Sequence, residues 1–284
     1  MRVSAYIKKW FPVFALPTFL AFILAFLIPF GMGLYLSFTK FRTVTDAQWV
    51  GVQNYINVFT QNTGFLSALW FTVRFTVVSV ITVNVIAFAL AMALTRAIKG
   101  TNLFRAVFFL PNLIGGIVLG YVWQLLINGV LGSLFNHDLT YSPTYGFWGL
   151  VIIVNWQMIG YMMVIYIAGI QNVPGDLLEA ADIDGAGSWS KLTHVIIPMV
   201  AGSVTICTFL TLSNCLKLFD QNLALTNGAP RNQTEGLALN IYRTFYILRN
   251  QQGVAQAKAV VFFVFVAVIA FLQLRATRSR EVDA

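Results

Sequence analysis

Residues 179–198 read EAADIDGAGSWSKLTHVIIP and form the most acidic segment of a very apolar chain, between two hydrophobic runs. Just before them, Pro174 suits the first turn of a helix, because the N–H that proline lacks would have no partner there. Gly185 and Gly187 are expected to end that helix, and Ser188 to cap a second one. The segment therefore predicts a helix, a turn and another helix that project into water from between two membrane spans.

The composition predicts a helical membrane protein. Of the 284 residues, 58% are hydrophobic and only 10% are charged, against roughly 25% charged in ordinary soluble domains. Mean hydropathy is +0.76, and several apolar runs reach the roughly 20 residues that a helix needs to cross the hydrocarbon core. The net charge of +8 does not indicate nucleic-acid binding, since the basic residues flank the apolar runs. We expect an all-α, polytopic membrane protein.

The apolar runs predict six transmembrane helices within a single domain, residues 1–284. The spans are 11–38, 75–94, 106–127, 146–170, 196–219 and 254–274, and the acidic loop occupies 174–191. A signal peptide is the alternative for the first run, but that run is too long for a signal-peptide core and no small-residue cleavage site follows it. In the third span, Gly116 and Gly120 form a GxxxG pair, which predicts close helix packing.

The distribution of basic residues predicts the orientation, because cytoplasmic loops carry an excess of Lys and Arg. The N-terminus, the second-to-third connection, the acidic loop and the C-terminal tail together carry ten, whereas the first two outer loops carry only Lys40 and Arg42. The long connection before the last span, bordered by Lys258, also holds basic residues, but the rule is weak for long loops. Both termini and the acidic loop are therefore expected in the cytoplasm.

The acidic loop resembles the EAA loop of binding-protein-dependent ABC importer permeases. That pattern is Glu-Ala-Ala, three residues, Gly, nine residues, Ile, one residue, Leu-Pro, and the matching positions are Glu179, Ala180, Ala181, Gly185 and Pro198. Val195 and Ile197 replace the Ile and the Leu. The continuation EAA-x-I-D-G-A resembles the sugar-importing branch of the family. An ordinary amphipathic cytoplasmic loop is the alternative interpretation.

Three further segments extend the resemblance along the chain. Residues 51–55 (GVQNY) resemble the G-x-x-N-Y after the first span of sugar permeases. Residues 104–111 (FRAVFFLP) resemble a family segment at the third span, and residues 225–230 (LTNGAP) resemble L-T-x-G-G-P with one Gly replaced. The likeness runs from Gly51 to the sixth span and implies the type I ABC importer permease fold.

The resemblance also implies partners and a role for the loop. In the family this loop is the coupling helix that docks on an ATPase subunit, and the residues carried over are Glu179, Ala180, Ala181, Asp184 and Gly185. The implied partners are a second homologous permease, two ATPase subunits that bind ATP and Mg²⁺, an extracytoplasmic sugar-binding protein and the lipid bilayer. The implied location is the cytoplasmic membrane of a bacterium or archaeon, and no cofactor is expected in this chain.

Polar residues within two spans are candidates for sugar contact, because intramembrane polar groups are costly and need a reason. The resemblance places substrate between the helices that flank the loop, so the candidates are Asn155, Gln157, Tyr161, Thr211 and Asn214. Amides, hydroxyls and an aromatic ring suit the hydroxyls and apolar C–H face of a sugar. Asn214 is expected near the middle of the fifth span. Hydrogen bonding between helices is the alternative for these residues, and Lys217 with Asp220, three positions apart, favours a structural ion pair.

No catalytic or metal site is expected. The chain has neither a G-x-x-x-x-G-K-[ST] phosphate loop nor an H-E-x-x-H motif. His137 and His194 have no metal-ligand or catalytic partner nearby in sequence. Cys207 and Cys215 would lie about 12 Å apart along one helix, too far to bridge. The sequence thus predicts a chain that is not an enzyme by itself, and the resemblance implies that it forms half of a transport pathway.

Two questions remain open at the level of sequence. A self-sufficient secondary transporter is the alternative function, but it would need an ion-coupling site and usually an internal repeat. The acidic residues cluster in the cytoplasmic loop, and none is expected at mid-membrane. The resemblance favours an oligosaccharide as substrate, with glycerol phosphate esters and monosaccharides as alternatives.

Overall fold

The computed structural model describes residues 2–61, 64–96 and 99–278. In chain order its α-helices are α1 (Arg2–Phe22), α2 (Ile28–Leu36), α3 (Gln53–Thr60), α4 (Phe65–Leu94), α5 (Thr101–Phe109), α6 (Gly116–Phe135), α7 (Pro143–Gln171), α8 (Gly175–Ile183), α9 (Ser188–Lys191), α10 (Ile197–Met199), α11 (Ala201–Leu216), α12 (Asp220–Leu225), α13 (Leu237–Tyr246) and α14 (Gln252–Arg278). Two π-helical turns, Ile23–Leu27 and Leu192–Ile196, join α1 to α2 and α9 to α10. Two 3₁₀ turns, Val44–Asp46 and Leu110–Leu113, lie between α2 and α3 and between α5 and α6.

The described residues contain five helical segments long and apolar enough to cross a membrane. These are Val13–Leu36, Phe65–Leu94, Gly116–Phe135, Pro143–Gln171 and Gln252–Ala276. A sixth is formed by Ser188–Met199 and Ala201–Leu216, if this pair, bent by 71°, is counted as one span. The helical, polytopic architecture predicted from the apolar runs is therefore confirmed, although the helix boundaries differ from the predicted ones.

The third and fifth spans are interrupted where one continuous helix was predicted. The stretch predicted at 106–127 is divided by a 3₁₀ turn containing Pro111, and α6 then runs on to Phe135. The stretch predicted at 196–219 bends at Val200, whose backbone adopts φ −93° and ψ 12°. Proline removes a helical N–H donor, and π-turns locally alter helix direction, so Pro198 together with the preceding π-turn accounts for the bend.

The chain folds into two compact units, and the first comprises Met1–Thr63 and Ile241–Phe262. Within it, β1 (Thr39–Lys40) pairs antiparallel with β2 (Gln48–Trp49). The amide of Asn54 on α3 donates to the carbonyl oxygens of Ser37 and Thr39, each at 2.9 Å. These two hydrogen bonds connect α3 to the end of α2 and to β1.

A buried lysine belongs to the same unit. Lys258, which the sequence placed at the border of a polar outer loop, is 0% exposed on α14. Its Nζ donates to Thr244 Oγ1 at 2.8 Å. A buried ammonium requires hydrogen-bond acceptors, so this residue is part of the packed interior rather than a free surface charge.

The second unit, Gly64–Asn240 and Phe263–Ala284, is built around α4, α7 and α11. Small residues allow the backbones to approach closely. A Cβ on Gly160 of α7 would overlap the Phe108 carbonyl group, and one on Gly120 would lie 2.5 Å from Ala224 Cβ. The close packing predicted for the GxxxG pair is thus confirmed, and the partner of that pair is α12.

A buried polar cluster joins the three central helices of this unit. The Tyr166 hydroxyl on α7 donates to Asn84 Oδ1 on α4 at 2.7 Å. The Asn84 Nδ2 donates to its own helix at Val80 O, at 2.8 Å, and lies 3.4 Å from Thr211 Oγ1 on α11. The cluster satisfies polar groups that would be costly to bury alone.

Both cysteines, Cys207 and Cys215, are buried, and neither forms a disulfide bond.

Candidate functional site

A cavity of about 450 Å³ lies beside the middle of α7. Its walls come from the 3₁₀ turn before α6, the start of α6, the middle of α7, the end of α11 and the start of α12. The lining residues are Asn112, Gly116, Val154, Gln157, Met158, Tyr161, Asn214, Lys217, Leu218, Phe219, Asp220 and Gln221. This volume falls within the range of roughly 300–1,000 Å³ that is usual for small-molecule sites.

Gln157 holds the cavity wall together. It is the central residue of Pro143–Gln171, and its Nε2 donates to the Ile114 carbonyl oxygen at 3.1 Å. Gln221 Nε2 on α12 donates in turn to Gln157 Oε1 at 2.6 Å. One amide therefore links α7 to the segment before α6 and to α12, so these three elements meet at the level of the helix midpoint.

The break between α11 and α12 forms another side of the cavity. The helix α11 ends at Leu216, and the next residues leave helical geometry, with Lys217 at φ −94°, ψ 15° and Phe219 at φ −129°, ψ −62°. Irregular backbone at membrane depth is tolerated where it is buried in protein or lines a water-filled cavity. The short helix α12 then packs on α6, where the sequence had predicted only an outer loop.

Lys217 and Asp220 both line this cavity, and the structural ion pair predicted between them is wrong. The ion pair found among the described residues joins Lys191 and Asp182 instead. The prediction assumed a continuous helix, in which residues three apart share a face. The break after Leu216 removes that geometry, and it also brings a carboxylate, that of Asp220, to the level of the α7 midpoint, where none was expected.

Three of the five predicted sugar-contact residues meet at the cavity: Gln157, Tyr161 and Asn214. Asn214 lies two residues before the end of α11 rather than in mid-span, and its side chain is exposed. Its Nδ2 donates to Leu210 O within the helix at 2.9 Å. The amide oxygen of Asn214 therefore remains available to a ligand in the cavity, since no described hydrogen bond uses it.

The other two predicted residues lie in the core, away from the cavity. Asn155 is 8% exposed and donates to Val151 O of its own helix at 2.8 Å. Thr211 is 0% exposed, and its hydroxyl donates to Cys207 O at 2.8 Å. These two hydrogen bonds stay within α7 and α11. The alternative, hydrogen bonding between helices, is matched by Thr211, whose Oγ1 also lies 3.4 Å from Asn84 Nδ2 on α4, but not by the bond of Asn155.

Sequence reasoning missed Asn112 and Gln221 at the cavity and Asn84 in the core cluster. Asn112 directly follows Pro111, and a polar residue beside a helix-breaking proline in an apolar run could have indicated an irregular, cavity-lining segment. For Gln221 the only available signal was its proximity to Lys217 and Asp220. Asn84 lies in the second span, from which no candidates were drawn.

The acidic loop forms the predicted helix, turn and helix. The helix α8 begins at Gly175 with Pro174 in the preceding N-cap position, and it ends at Ile183. Gly185 has φ 72°, in the left-handed region. The amide N–H of Gly185 donates to Asp182 O at 3.1 Å and that of Ala186 to Ala181 O at 2.9 Å. This pair of bonds is the Schellman arrangement, which satisfies the last carbonyl groups of a helix.

The second helix of the loop starts one residue earlier than predicted. α9 begins at Ser188 with Gly187 as N-cap residue, so Ser188 does not cap it. Lys191 on α9 pairs with Asp182 on α8, and this ion pair ties the two helices together across the turn. Ile183 and Trp189 are 86% and 74% exposed, an unusual position for large apolar side chains.

The predicted coupling residues lie along this exposed loop. Glu179, Ala180, Asp184 and Gly185 are exposed, and Ala181 is half-buried. The loop therefore combines exposed small residues, whose backbone is accessible, with the exposed large apolar side chains of Ile183 and Trp189. Within residues 2–61, 64–96 and 99–278, no group of three or more His, Cys, Asp or Glu is arranged to hold a metal ion.

Comparison with known proteins places these features in a family. The model of the family described as "Binding-protein-dependent transport system inner membrane component" matches residues 86–280. The chain is 42% identical over 283 residues to the probable starch degradation products transport system permease protein of Thermoanaerobacterium thermosulfurigenes, with 96% of each chain covered. It is 31% identical over 260 residues to the trehalose transport system permease protein of Mycobacterium tuberculosis, covering 87% of this chain and 81% of that protein.

Solved structures show the same fold. A chain of a bacterial ABC transporter involved in the import of the acidic polysaccharide alginate superposes with a TM-score of 0.81 at 18% identity, covering 98% of this chain and 99% of that one. A chain of the MetNI methionine ABC transporter, in an inward-facing conformation, gives a TM-score of 0.56 at 17% identity and covers 77% and 96%. At these identities the likeness concerns the fold alone, and both structures are of ABC transporters.

Proposed function

The chain belongs to the family of binding-protein-dependent transport system inner membrane components, and from this premise we propose that it forms half of the sugar pathway of an ATP-driven importer. The observation that carries the proposal is the polar cavity at the midpoint of α7, beside the break between α11 and α12. Transporter sites commonly lie near the bilayer midplane at discontinuous helices. Gln157 is central in a 29-residue helix, which corresponds to this depth.

The cavity offers the chemistry that a sugar needs. Gln157, Asn214 and Asn112 contribute amide groups, and Tyr161 contributes a ring and a hydroxyl. Sugar hydroxyls donate and accept hydrogen bonds, and the C–H faces of the pyranose pack on aromatic carbon. The names of relatives refer to starch degradation products and to trehalose. We therefore propose an oligosaccharide as the substrate.

The acidic loop is the proposed contact with an ATPase subunit. Glu179, Ala180, Ala181, Asp184 and Gly185 would form the docking surface, with Ile183 and Trp189 as apolar anchors. Protein interfaces commonly concentrate binding energy in a few large side chains surrounded by smaller contacts. The exposure of Ile183 and Trp189 in an otherwise polar loop supports this role.

The fold suggests how the two sites communicate. The helix α7 runs from the cavity to the loop, and Gln157 lies 14 positions before its last residue, Gln171, which is about 21 Å of helix. On the other side of the loop, the chain returns to Asn214 at the cavity through α10, the 71° bend at Val200 and α11. Since α7 is regular over this distance, a displacement of the loop by a partner would move the α7 wall of the cavity directly, and the bend at Val200 would let the α11 wall move relative to it, as alternating access requires.

The proposal includes a definite assembly. A second homologous permease would complete the pathway, two ATPase subunits would bind ATP and Mg²⁺, and an extracytoplasmic sugar-binding protein would deliver substrate. The chain itself would hydrolyse no ATP. Both termini and the acidic loop would face the cytoplasm, as the distribution of Lys and Arg favours.

One observation favours a second candidate function, a self-sufficient secondary transporter. The Asp220 carboxylate lines the cavity at the level of Gln157, and intramembrane carboxylates often serve ion coupling. Uptake of radiolabelled maltotriose into proteoliposomes distinguishes the two functions. We expect uptake only when the ATPase subunits and internal ATP are both present, whereas uptake driven by an ion gradient without ATPase would support the second candidate.

A further inference from the structure

The cavity beside Gln157 is charge-balanced. Of the described residues that line it, Lys217 and Asp220 are the charged ones. The polar remainder is uncharged and consists of Asn112, Gln157, Tyr161, Asn214 and Gln221. The formal charge of the lining is therefore zero, which differs from sites for anionic ligands, where cationic side chains predominate.

The backbone break keeps the two charges available to a ligand. Asp220 opens α12 and packs closely on α6, because a Cβ on Gly116 would lie 2.7 Å from Asp220 Cβ. Lys217 follows the last turn of α11, and its side chain is exposed. The two side chains form no ion pair with each other in the part of the chain that the structure describes. An ammonium can only donate hydrogen bonds and a carboxylate can only accept them.

A pair of sugar hydroxyls satisfies both groups at once. One hydroxyl oxygen can accept from Lys217 Nζ while another hydroxyl donates to the Asp220 carboxylate, so neither charge is left unpaired when the ligand displaces water. An anionic ligand could pair with Lys217 but would place its negative charge near Asp220. Like charges repel more strongly in a cavity than in bulk water, because the effective dielectric constant is lower.

We infer that Lys217 and Asp220 are specificity-determining residues that select an uncharged, hydroxyl-rich substrate and reject anionic sugars and phosphate esters. The inference rests on the proposed function, in which this cavity is the substrate site. It also decides among the substrate classes that the sequence left open, since glycerol phosphate esters are anionic and oligosaccharides such as maltotriose are not.

Equilibrium binding to the assembled complex tests this inference. The sugar-binding protein is left out, so its own selectivity does not affect the measured affinities. The complex is held in lipid nanodiscs, and the Kd is measured for maltotriose and for maltotrionate, whose reducing-end residue is an open chain oxidised to a carboxylate. We expect the wild type to prefer maltotriose by about tenfold or more, a ratio that corresponds to about 1.4 kcal/mol. Asp220→Asn should reduce this preference about tenfold, and Lys217→Gln should weaken binding of both probes without favouring maltotrionate.

Two further variants make the result specific. Gln157→Ala removes an uncharged lining group and should weaken both probes in similar proportion, leaving the ratio unchanged. Asp138→Asn, in an exposed loop outside the cavity, changes the net charge by the same amount and should leave both Kd values unchanged. The hydrogen bonds from Thr140 keep the pKa of Asp138 below its usual value, so this control removes a true charge at neutral pH.

The possible failures can be told apart. An Asp220→Asn complex that still binds maltotriose with the wild-type selectivity would overturn the inference and leave the proposed function standing. An anion preference in the wild type would also overturn it. If the intact wild-type complex bound neither probe, the proposed substrate site and this inference would both fall.

Discussion

Single residues are decisive at both proposed sites, the acidic loop and the substrate cavity. Gly185 allows the loop to turn, because its φ of 72° is a conformation that other residues adopt at a cost. The space around it is open, since a Cβ at this position would have no atom within 4 Å. A substitution there would therefore act through backbone strain and through what it presents to a partner, rather than through packing within this chain.

Gly185→Leu is expected to uncouple transport while the protein still reaches the membrane. Backbone strain of about 1–2 kcal/mol should displace the end of α8, and the bulky side chain should obstruct docking. The measurement is ATP-dependent maltotriose uptake, normalised to the amount of permease in the membrane. Gly187→Ser is the matched control, since Gly187 has an ordinary φ of −68° at an N-cap position that serine favours. Normal uptake by Gly185→Leu would count heavily against the coupling assignment.

Asn214→Ala should weaken transport without disturbing assembly. The substitution removes one or two hydrogen bonds to sugar, each contributing about 0.5–1.5 kcal/mol, so a several-fold to roughly hundredfold loss is expected. The measurements are uptake and basal ATP hydrolysis per assembled complex, and the second should be unchanged because the loop is intact. Thr211→Val is the comparison at a core position, where lower expression or stability is expected instead. Poor assembly of Asn214→Ala with unaltered sugar selectivity would remove this residue from the site.

At the scale of elements, helix breaks determine where the cavity forms. The 3₁₀ turn containing Pro111 and the irregular segment after Leu216 meet at the middle of α7. Each break frees backbone groups and side chains that a continuous helix would direct elsewhere. The unbroken helix α7 supplies the rigid wall against which these two irregular segments are placed.

The contact of α5 with α7 depends on the absence of a side chain at Gly160. We expect Gly160→Ala to destabilise the protein by about 1–3 kcal/mol, because the added methyl group would overlap the backbone of Phe108. The thermal unfolding midpoint of the purified complex measures this. Gly202→Ala, on α11 where an added Cβ would meet open space, should leave the midpoint unchanged or raise it slightly. Equal midpoints for both variants would show that the contact is not tight.

At the scale of the whole molecule, the orientation in the membrane is a prediction from charge and span count. Single cysteines at Ser188 and Ser279 should react with a membrane-impermeant thiol reagent only from the cytoplasmic side, and one at Ser142 only from outside. Ser279 lies outside the described residues, whereas Ser188 is exposed. The native Cys207 and Cys215 are buried and should remain unlabelled in intact protein. The reverse labelling pattern would mean that the excess of basic residues had been misinterpreted.

The sequence by itself determined that the protein is a helical membrane protein and where in the chain the acidic loop lies. Both depend on local properties: the length of apolar runs, the glycine that ends a helix, and a short motif with fixed spacing. The turn at Gly185 could be predicted because the residues that form it are neighbours in the chain. The family followed from the same local signals.

Only the tertiary structure decided which polar residues share a cavity. Gln157 and Gln221 are separated by 64 positions, and their contact depends on how α12 packs against α6. Asn155 and Gln157 are two residues apart on one helix, yet one lies in the core and the other at the cavity. Hydropathy cannot distinguish such neighbours, because both are polar residues in the same apolar run. Whether each side chain lies in the core or at the cavity depends on how distant helices pack around α7 and on where those helices are broken.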